Sequence, residues 1–417
     1  MSDPVSVCVV GLGYVGLPTA AVISDQGISV TGVDTRKTVI TAISNGETPI
    51  VEPDLDVLVQ RGVASGYLKA EPEPVAADIF ILAVPTPFKH GNIPDLSYLE
   101  SAISSIAPVL EPGNLVILES TSPVGTTEKI STWITSHRPD LVPPLKPAEP
   151  SIYIAHSPER VLPSRILIEL INNDRVIGGL TPACAEKAAE FYKLFVKGTC
   201  HTTSARTAEM VKLAENAYRD TNIAFANEMS QVYDKLGIDV WEMRELANRH
   251  PRVDILMPGP GVGGHCIAVD PWFIVDSARD STPLLQAARQ VNDSKPKIVA
   301  EGVLREAENR SPQAICCLGL SYKADIDDLR ESPSIDIVKM VASRFDGTLF
   351  VVEPYIDALP EDLRIFSNLS LTGLEHGLEH SDIVVLLTDH IEFRNIPSDQ
   401  LRDKRLIDTR GIWRSNG

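Results

Sequence analysis

The segment Pro258-Gly-Pro-Gly-Val-Gly-Gly-His-Cys-Ile-Ala-Val-Asp-Pro-Trp-Phe273 sets Cys266 in a glycine-rich bend, with Asp270 four positions on and no second cysteine at CxxC distance. That pattern suits a nucleophile better than a metal ligand or half of a disulfide. A thiol reacts as its thiolate, so such a residue needs backbone amides or positive charge nearby and room for a substrate carbon. Gly259, Gly261, Gly263 and Gly264 carry no Cβ, so the chain can turn sharply and bring N–H groups to a ligand. The bland alternative is a small buried apolar residue in a loop. A second constellation lies in the breaker-free stretch from about Ser204 to Lys235, which reads as a long helix. There Lys212 and Asn216 lie four apart, on one helical face aimed at one spot. On an exposed face such a pair would be unremarkable.

The elements that must position these groups read as two nucleotide-type halves. Val5–Val10 is a short β-branched run, followed by Gly11-Leu-Gly-Tyr-Val-Gly16 and a helix from about Leu17 to Gln26. Strand, GxGxxG turn and helix in that order form the dinucleotide fingerprint, with the pyrophosphate on the helix amino end. A second strand, Ser29–Val33, ends at Asp34, an acid placed for the ribose 2′-OH and hostile to a 2′-phosphate. NAD is therefore favoured over NADP, although Arg36 and Lys37 stand nearby. Ala77–Val84 and Asn114–Ser120 continue a parallel sheet as unbroken apolar runs. Their carboxyl ends carry Pro85-Thr-Pro87 and Ser120-Thr-Ser-Pro-Val-Gly125, so Thr86 and Thr121 could reach the cofactor, or could be ordinary turn residues.

The other half begins at Gln313–Leu320, with strands at Thr348–Val352, Asp382–Leu387 and Leu406–Asp408. Its loop from Ser321 to Pro333 lacks a second GxGxxG but supplies Lys323 and Arg330, cations suited to phosphates or simply part of a solvated loop. The fold class expected is α/β: two Rossmann-like, doubly wound parallel-sheet domains at 1–203 and 301–417, joined by a central helical domain at 204–300.

The 417 residues are enough for such a multidomain enzyme. A net charge of −18 disfavours nonspecific binding to nucleic acid or anionic membrane. The six cysteines show no metal spacing, Cys8 and Cys316 lie in strand-like runs, and a reducing cytoplasm is expected, with no metal. No signal peptide is read at the amino terminus, and no apolar run reaches the ~18 residues of a membrane span. The proline cluster at 139–150 reads as a surface loop.

Taken in order, these segments resemble the nucleotide-sugar 6-dehydrogenase family over nearly the whole chain. The motifs are Gly11–Pro18, Glu119–Thr126, Ser157-Pro-Glu-Arg160, Lys212-Leu-Ala-Glu-Asn216, Gly263–Pro271 and Gly319–Pro333. Within the family, His156–Pro163 and His265–Phe273 are most similar to the branch that acts on UDP-N-acetyl-D-mannosamine. The UDP-glucose branch usually has serine before the nucleophile and Glu-Phe-Leu where this chain has Glu159-Arg-Val, so a glucose specificity does not transfer.

The resemblance implies NAD-dependent oxidation of the sugar C6 from alcohol through aldehyde to acid, with Cys266 as the covalent nucleophile. It also implies that Lys212 and Asn216 steady the C6 oxyanion, while Asp270 and Glu159, with Thr121 as a water ligand, serve thioester hydrolysis. Which carboxylate takes the proton, and whether Lys212 is instead the base of the first step, stays open. Implied cofactor contacts are Gly11, Gly13, Tyr14, Val15, Gly16, Asp34, Arg36, Pro85, Thr86 and Thr121. Implied substrate contacts are Glu159, Arg160, Val161, Lys212, Asn216, Gly263, His265, Tyr322, Lys323 and Arg330. Arg252 resembles an arginine that reaches a partner subunit's site. The long helix resembles the family's dimer spine, so a homodimer or higher homo-oligomer binding a UDP-sugar is expected, supplying acidic amino sugars for surface polysaccharide. UDP-N-acetylglucosamine or UDP-glucose oxidation is the alternative, and a silent nucleotide-sugar sensor the reading from another class.

Overall fold

The computed structural model describes residues 5–50, 52–89, 91–141, 151–162, 165–264 and 266–413. His265 and most of the proline cluster lie outside the described residues. The chain divides into one compact unit of Met1–Glu215 with Trp272–Ala278, and another of Asn216–Pro271 with Arg279–Gly417. Among the described residues no helix is long and apolar enough to cross a membrane.

The first unit is built on strands β1 (Ser6–Val10), β2 (Ser29–Val33), β3 (Leu68–Glu71), β4 (Ile79–Leu82), β7 (Leu115–Leu118), β8 (Tyr153–His156), β9 (Arg175–Gly179) and β10 (Cys200–Ser204), with a small hairpin of β5 (Phe88–Lys89) and β6 (Ile93–Pro94). The sheet order is β10-β9-β8-β7-β4-β1-β2-β3. Strand residues alternate between two cores: Val7, Val9, Ile81 and Ile117 bury on one face, Cys8, Val10, Phe80 and Leu118 on the other. Covering both faces is what makes these runs almost wholly apolar. The expected parallel sheet is present from β3 across to β8. It then departs from expectation, because β9 pairs antiparallel to β8, with Ala155 opposite Gly179 and His156 opposite Gly178.

The second unit holds a five-stranded parallel sheet in the order β13-β12-β11-β14-β15, from β11 (Ala314–Leu318), β12 (Thr348–Val352), β13 (Leu369–Leu371), β14 (Ile383–Leu386) and β15 (Arg405–Asp408). Ile315, Cys317 and Val351 face one core, Cys316, Leu318 and Val352 the other. Two long helices supply the helical part, Pro283–Arg310 and the stretch of Ala205–Leu236 from Asn216 onward, its residues up to Glu215 belonging to the first unit. Buried polar groups fix their register: Arg289 donates to Asp220 at 2.6 Å, and Asn292 bridges Asp220 and Asn227. Asn227 Oδ1 also accepts the Gly259 N–H at 2.9 Å, so the start of the glycine-rich bend is tied to the same pair of helices.

The two sheets open on the same turn. Gly11 (φ 98°) donates to the Val33 carbonyl at 2.8 Å, and Gly319 (φ 94°) donates to the Val352 carbonyl at 2.8 Å. The next amide, Leu12 or Leu320, donates to the acid ending the second strand, Asp34 at 3.1 Å or Glu353 at 2.6 Å. The second nucleotide-type turn is therefore present as Gly319-Leu-Ser321 without its later glycines.

Candidate active site

The bend around Cys266 is shaped by its neighbours in the second unit. Gly264 (φ 79°) sits where a Cβ would lie 2.7 Å from Cε2 of Tyr322, and a Cβ on Gly263 would lie 2.5 Å from the Glu331 carbonyl. The Gly264 N–H donates to the Arg330 carbonyl at 3.2 Å. These glycines thus serve close packing on the Tyr322 to Pro333 segment, a need that local sequence does not reveal. Cys266 follows at once and is exposed, whereas Cys8, Cys184, Cys316 and Cys317 are buried and Cys200 is intermediate. Its carbonyl accepts the amides of Val269 at 3.1 Å and Asp270 at 2.9 Å, opening the helical turn that leads into the Asp270–Ser277 helix. The sulfur therefore stands at the amino end of that turn, the end that attracts negative charge.

Asp270 is 2% exposed and Asn216 6%. The Asn216 side-chain amide donates to Asp270 Oδ2 at 2.5 Å. A carboxamide has two N–H hydrogens, so one remains for a ligand oxygen. Lys212, one turn earlier on the Ala205–Leu236 helix, is half-buried and makes no hydrogen bond or ion pair among the described residues. Burial, helped by the Lys212 charge, pushes the fully buried His156 imidazole down to about 3, so this histidine is neutral.

Other predicted residues fall into local pairs. Thr86 donates to the Thr121 carbonyl at 2.6 Å, joining the loops at the carboxyl ends of β4 and β7. Gly125 and Thr127 amides donate to Glu209 at 2.6 and 2.7 Å, so a buried carboxylate of the long helix caps the Thr126–His137 helix just beyond Thr121. Glu159 is 7% exposed; its Oε1 accepts the Arg160 amide at 2.6 Å and its Oε2 has no hydrogen-bond partner. The Arg160 guanidinium is taken up by Glu215, and Val161 packs at the edge of a core. Arg330 is held by Asp328 at 2.7 Å and remains half exposed, Lys323 is half-buried, and Arg252 is exposed beside His250.

A dinucleotide fits the first unit's turn. The Gly16–Asp25 helix has no side-chain cap at its amino end, and a Cβ on Gly13 would meet nothing within 4 Å, leaving the backbone open to a pyrophosphate. Tyr14 and Val15 flank that opening, and Gly16 cannot be enlarged because a Cβ would lie 1.8 Å from the Gly11 carbonyl. Asp34 is clasped by Arg36 at 3.1 Å; burial raises its pKa, but the Arg36 and backbone hydrogen bonds outweigh that and hold it below the ordinary value. Arg36 is thus part of the Asp34 site and not merely a neighbouring charge.

Among the described residues one group, Asp325, His390 and Glu392, has metal-ligand chemistry. It suits a metal poorly. His390 Nδ1 accepts the Asp325 amide at 3.0 Å, so Nε2 carries the proton and faces Glu353 at 3.1 Å.

Comparison with known proteins identifies the family. Residues 5–196 match the NAD binding domain of the UDP-glucose/GDP-mannose dehydrogenase family, 206–294 its central domain and 316–415 its UDP binding domain. An NDP-N-acetyl-D-galactosaminuronic acid dehydrogenase of Ralstonia nicotianae is 54% identical, over 98% of this chain and 96% of its own. A UDP-N-acetyl-D-mannosamine dehydrogenase of Campylobacter jejuni is 53% identical, over 95% and 98%. The solved UDP-D-ManNAc dehydrogenase of Pyrococcus horikoshii superposes with a TM-score of 0.89 at 37% identity, covering 98% of this chain and 96% of that one. With the doubled turn and the three matched domains in order, the chain belongs to the UDP-glucose/GDP-mannose dehydrogenase family and is an NAD-dependent nucleotide-sugar dehydrogenase.

Proposed function

We propose that this enzyme oxidises C6 of UDP-N-acetyl-D-mannosamine to the uronic acid in two successive two-electron steps, with Cys266 as covalent nucleophile. The observation that carries the reading is an exposed cysteine at the amino end of a helical turn whose Asp270 is held by Asn216. NAD, when bound, accepts the hydride of each step. The Cys266 thiolate adds to the C6 aldehyde, and loss of hydride from that adduct leaves a thioester. The Lys212 ammonium and the second Asn216 N–H stabilise negative charge on the C6 oxygen. Water then bonds to C6 as the C6–Sγ bond breaks, and its proton passes to a carboxylate. Glu159 is the better base, because Asp270 already accepts Asn216 while Glu159 keeps an oxygen without a hydrogen-bond partner. Thr121 serves as water ligand, and Tyr322, Lys323, Arg330, Gly263 and His265 serve the nucleotide-sugar, His265 lying outside the described residues.

A second reading is an N-acetylgalactosamine nucleotide as substrate, favoured by the name of the Ralstonia relative. Anaerobic incubation with NAD and a panel of UDP-N-acetylmannosamine, UDP-N-acetylgalactosamine, UDP-N-acetylglucosamine and UDP-glucose, followed by mass analysis of product and of the Cys266 peptide, decides between them. Turnover fastest with the mannosamine sugar and an acyl adduct on Cys266 are the expected results; oxidation without any adduct overturns the mechanism.

We assign the nucleotide, helical and UDP-binding roles to 1–203, 204–300 and 301–417. A second copy of the chain covers the apolar side chains that the long helix exposes, with Arg252 reaching the partner's site. The setting is cytoplasmic, in supply of acidic amino sugars.

A further inference from the structure

The reversal at β9 gives the first sheet a feature that a wholly parallel sheet would lack. In a parallel sheet the amino end of the next strand lies at the edge opposite the ligand. Because β9 runs antiparallel to β8, its first residue returns to the edge where β8 ends. Continuing the register from His156 opposite Gly178 sets Glu159 opposite Arg175.

Arg175 is 5% exposed and lies between two buried carboxylates. Its Nη1 donates to Glu119 at 3.3 Å and to Ser157 Oγ at 3.2 Å, while Nη2 faces Glu159 Oε2 at 3.7 Å. The Tyr192 ring lies 4.4 Å from the guanidinium carbon, and its hydroxyl donates to Glu119 at 2.7 Å. Glu119 is thus fully engaged and cannot reach a ligand, since its exposure is 0%. Glu159 is attracted by charge, yet one of its oxygens accepts no hydrogen bond. A purely structural ion pair would satisfy both acids, because an unsatisfied buried polar atom costs about 1–3 kcal/mol. Such an atom calls for an explanation, and beside the ion pair with Arg175 a reacting water or its proton supplies one.

We infer that Arg175 is a positioning residue, which with Glu119 and Tyr192 behind it holds the Glu159 carboxylate in the orientation its role as hydrolytic base needs, without occupying the lone pairs of Oε2. The inference rests on the proposed role of Glu159 as the hydrolytic base. It separates the steps: hydride transfer does not depend on Arg175, whereas release of the acid from Cys266 does.

The test compares Glu159→Gln, Arg175→Lys and the double variant of the full-length enzyme with UDP-N-acetyl-D-mannosamine and NAD. Lysine keeps the buried charge but lacks the planar fork. Arg175→Lys should keep a first-turnover burst of about two NADH per site, as the four-electron reaction requires. Its steady-state kcat should fall roughly 10–100-fold, the range found when outer-sphere partners of a functional group are lost, with little change in KM. The Cys266 peptide should carry the uronyl adduct, and the double variant should be no slower than Glu159→Gln alone. Should Arg175→Lys fold poorly, Glu119→Gln/Arg175→Gln removes the buried Glu119–Arg175 pair together, leaving Glu159 in place, and carries the same comparison. Wild-type hydrolysis by the Arg175 variants, or additive losses in the double variant, would overturn the inference while leaving Glu159 as base. Undiminished hydrolysis by Glu159→Gln would instead remove the base itself and the inference with it.

Discussion

At the scale of single residues, the proposed chemistry depends on one exposed sulfur among thiols that are mostly buried. Cys266→Ser should abolish acid formation in steady-state product analysis, because a serine ester hydrolyses far more slowly than a thioester; full turnover by the variant would exclude covalent catalysis. A second residue-scale expectation concerns Glu353, which is fully buried and accepts the Leu320 and Ser321 amides at 2.6 and 3.0 Å. Burial raises its pKa, but the hydrogen bonds from His390 and from the two amides outweigh that and hold it below the ordinary 4.5. A depressed carboxyl stabilises the fold above its unfolded pKa, and that contribution is lost as pH falls through the folded value. Glu353→Gln should therefore cost about 1.5–3 kcal/mol at neutral pH, as for hydrogen bonds to a charged group. Thermal melts from neutral pH downward should show the two proteins converging only below pH 4.5. A gap that stayed constant into acid would show that the charge contributes nothing.

At the scale of elements, Glu209 links the long helix to the loop bearing Thr121. Its carboxylate satisfies two amides at the amino end of the Thr126–His137 helix and accepts the Thr127 hydroxyl at 2.6 Å. Glu209→Gln keeps the shape but removes the charge that suits a helix amino end, worth up to about 2 kcal/mol in a buried setting. A melting temperature lower by several degrees and weaker NAD binding are expected; unchanged calorimetry would rule out the cap as a support of that loop.

This is also where the sequence was most and least legible. Strands that are buried on both faces announced themselves, so Ser29–Val33 and Thr348–Val352 were readable to the residue, and the long helix ran unbroken to within a residue of its ends. Strand β10, Cys-His-Thr-Thr-Ser, is mostly solvent-facing at the sheet edge and carries no apolar run to read. The Pro283–Arg310 helix was hidden by Pro296 in its interior. The direction of β9 is a long-range choice that no local pattern encodes. Around Cys266, the residue types pointed to a nucleophile, but the role of Gly263 and Gly264 depends on Tyr322 and Glu331, far away in the chain.

At the scale of the whole molecule, the long helix exposes Tyr218 at 68%, Phe225 at 51% and Val232 at 38%. They recur every seven residues, the spacing of a seam that another helix covers. Replacing Tyr218 and Phe225 by lysine should shift the mass measured by light scattering from a dimer or higher species to a monomer. A wild-type mass already equal to 45.4 kDa would rule out assembly through this face.

The uneven burial of the cysteines also turns the protein into its own folding clock. Four of its thiols lie in strands or a helix packed against a core, so a small alkylating reagent should tag Cys266 within the native state and reach Cys8, Cys184, Cys316 and Cys317 only as each unit opens. Cys8 and Cys184 report on the first unit, Cys316 and Cys317 on the second. Timed labelling read by peptide mass would then tell which of the two opens first.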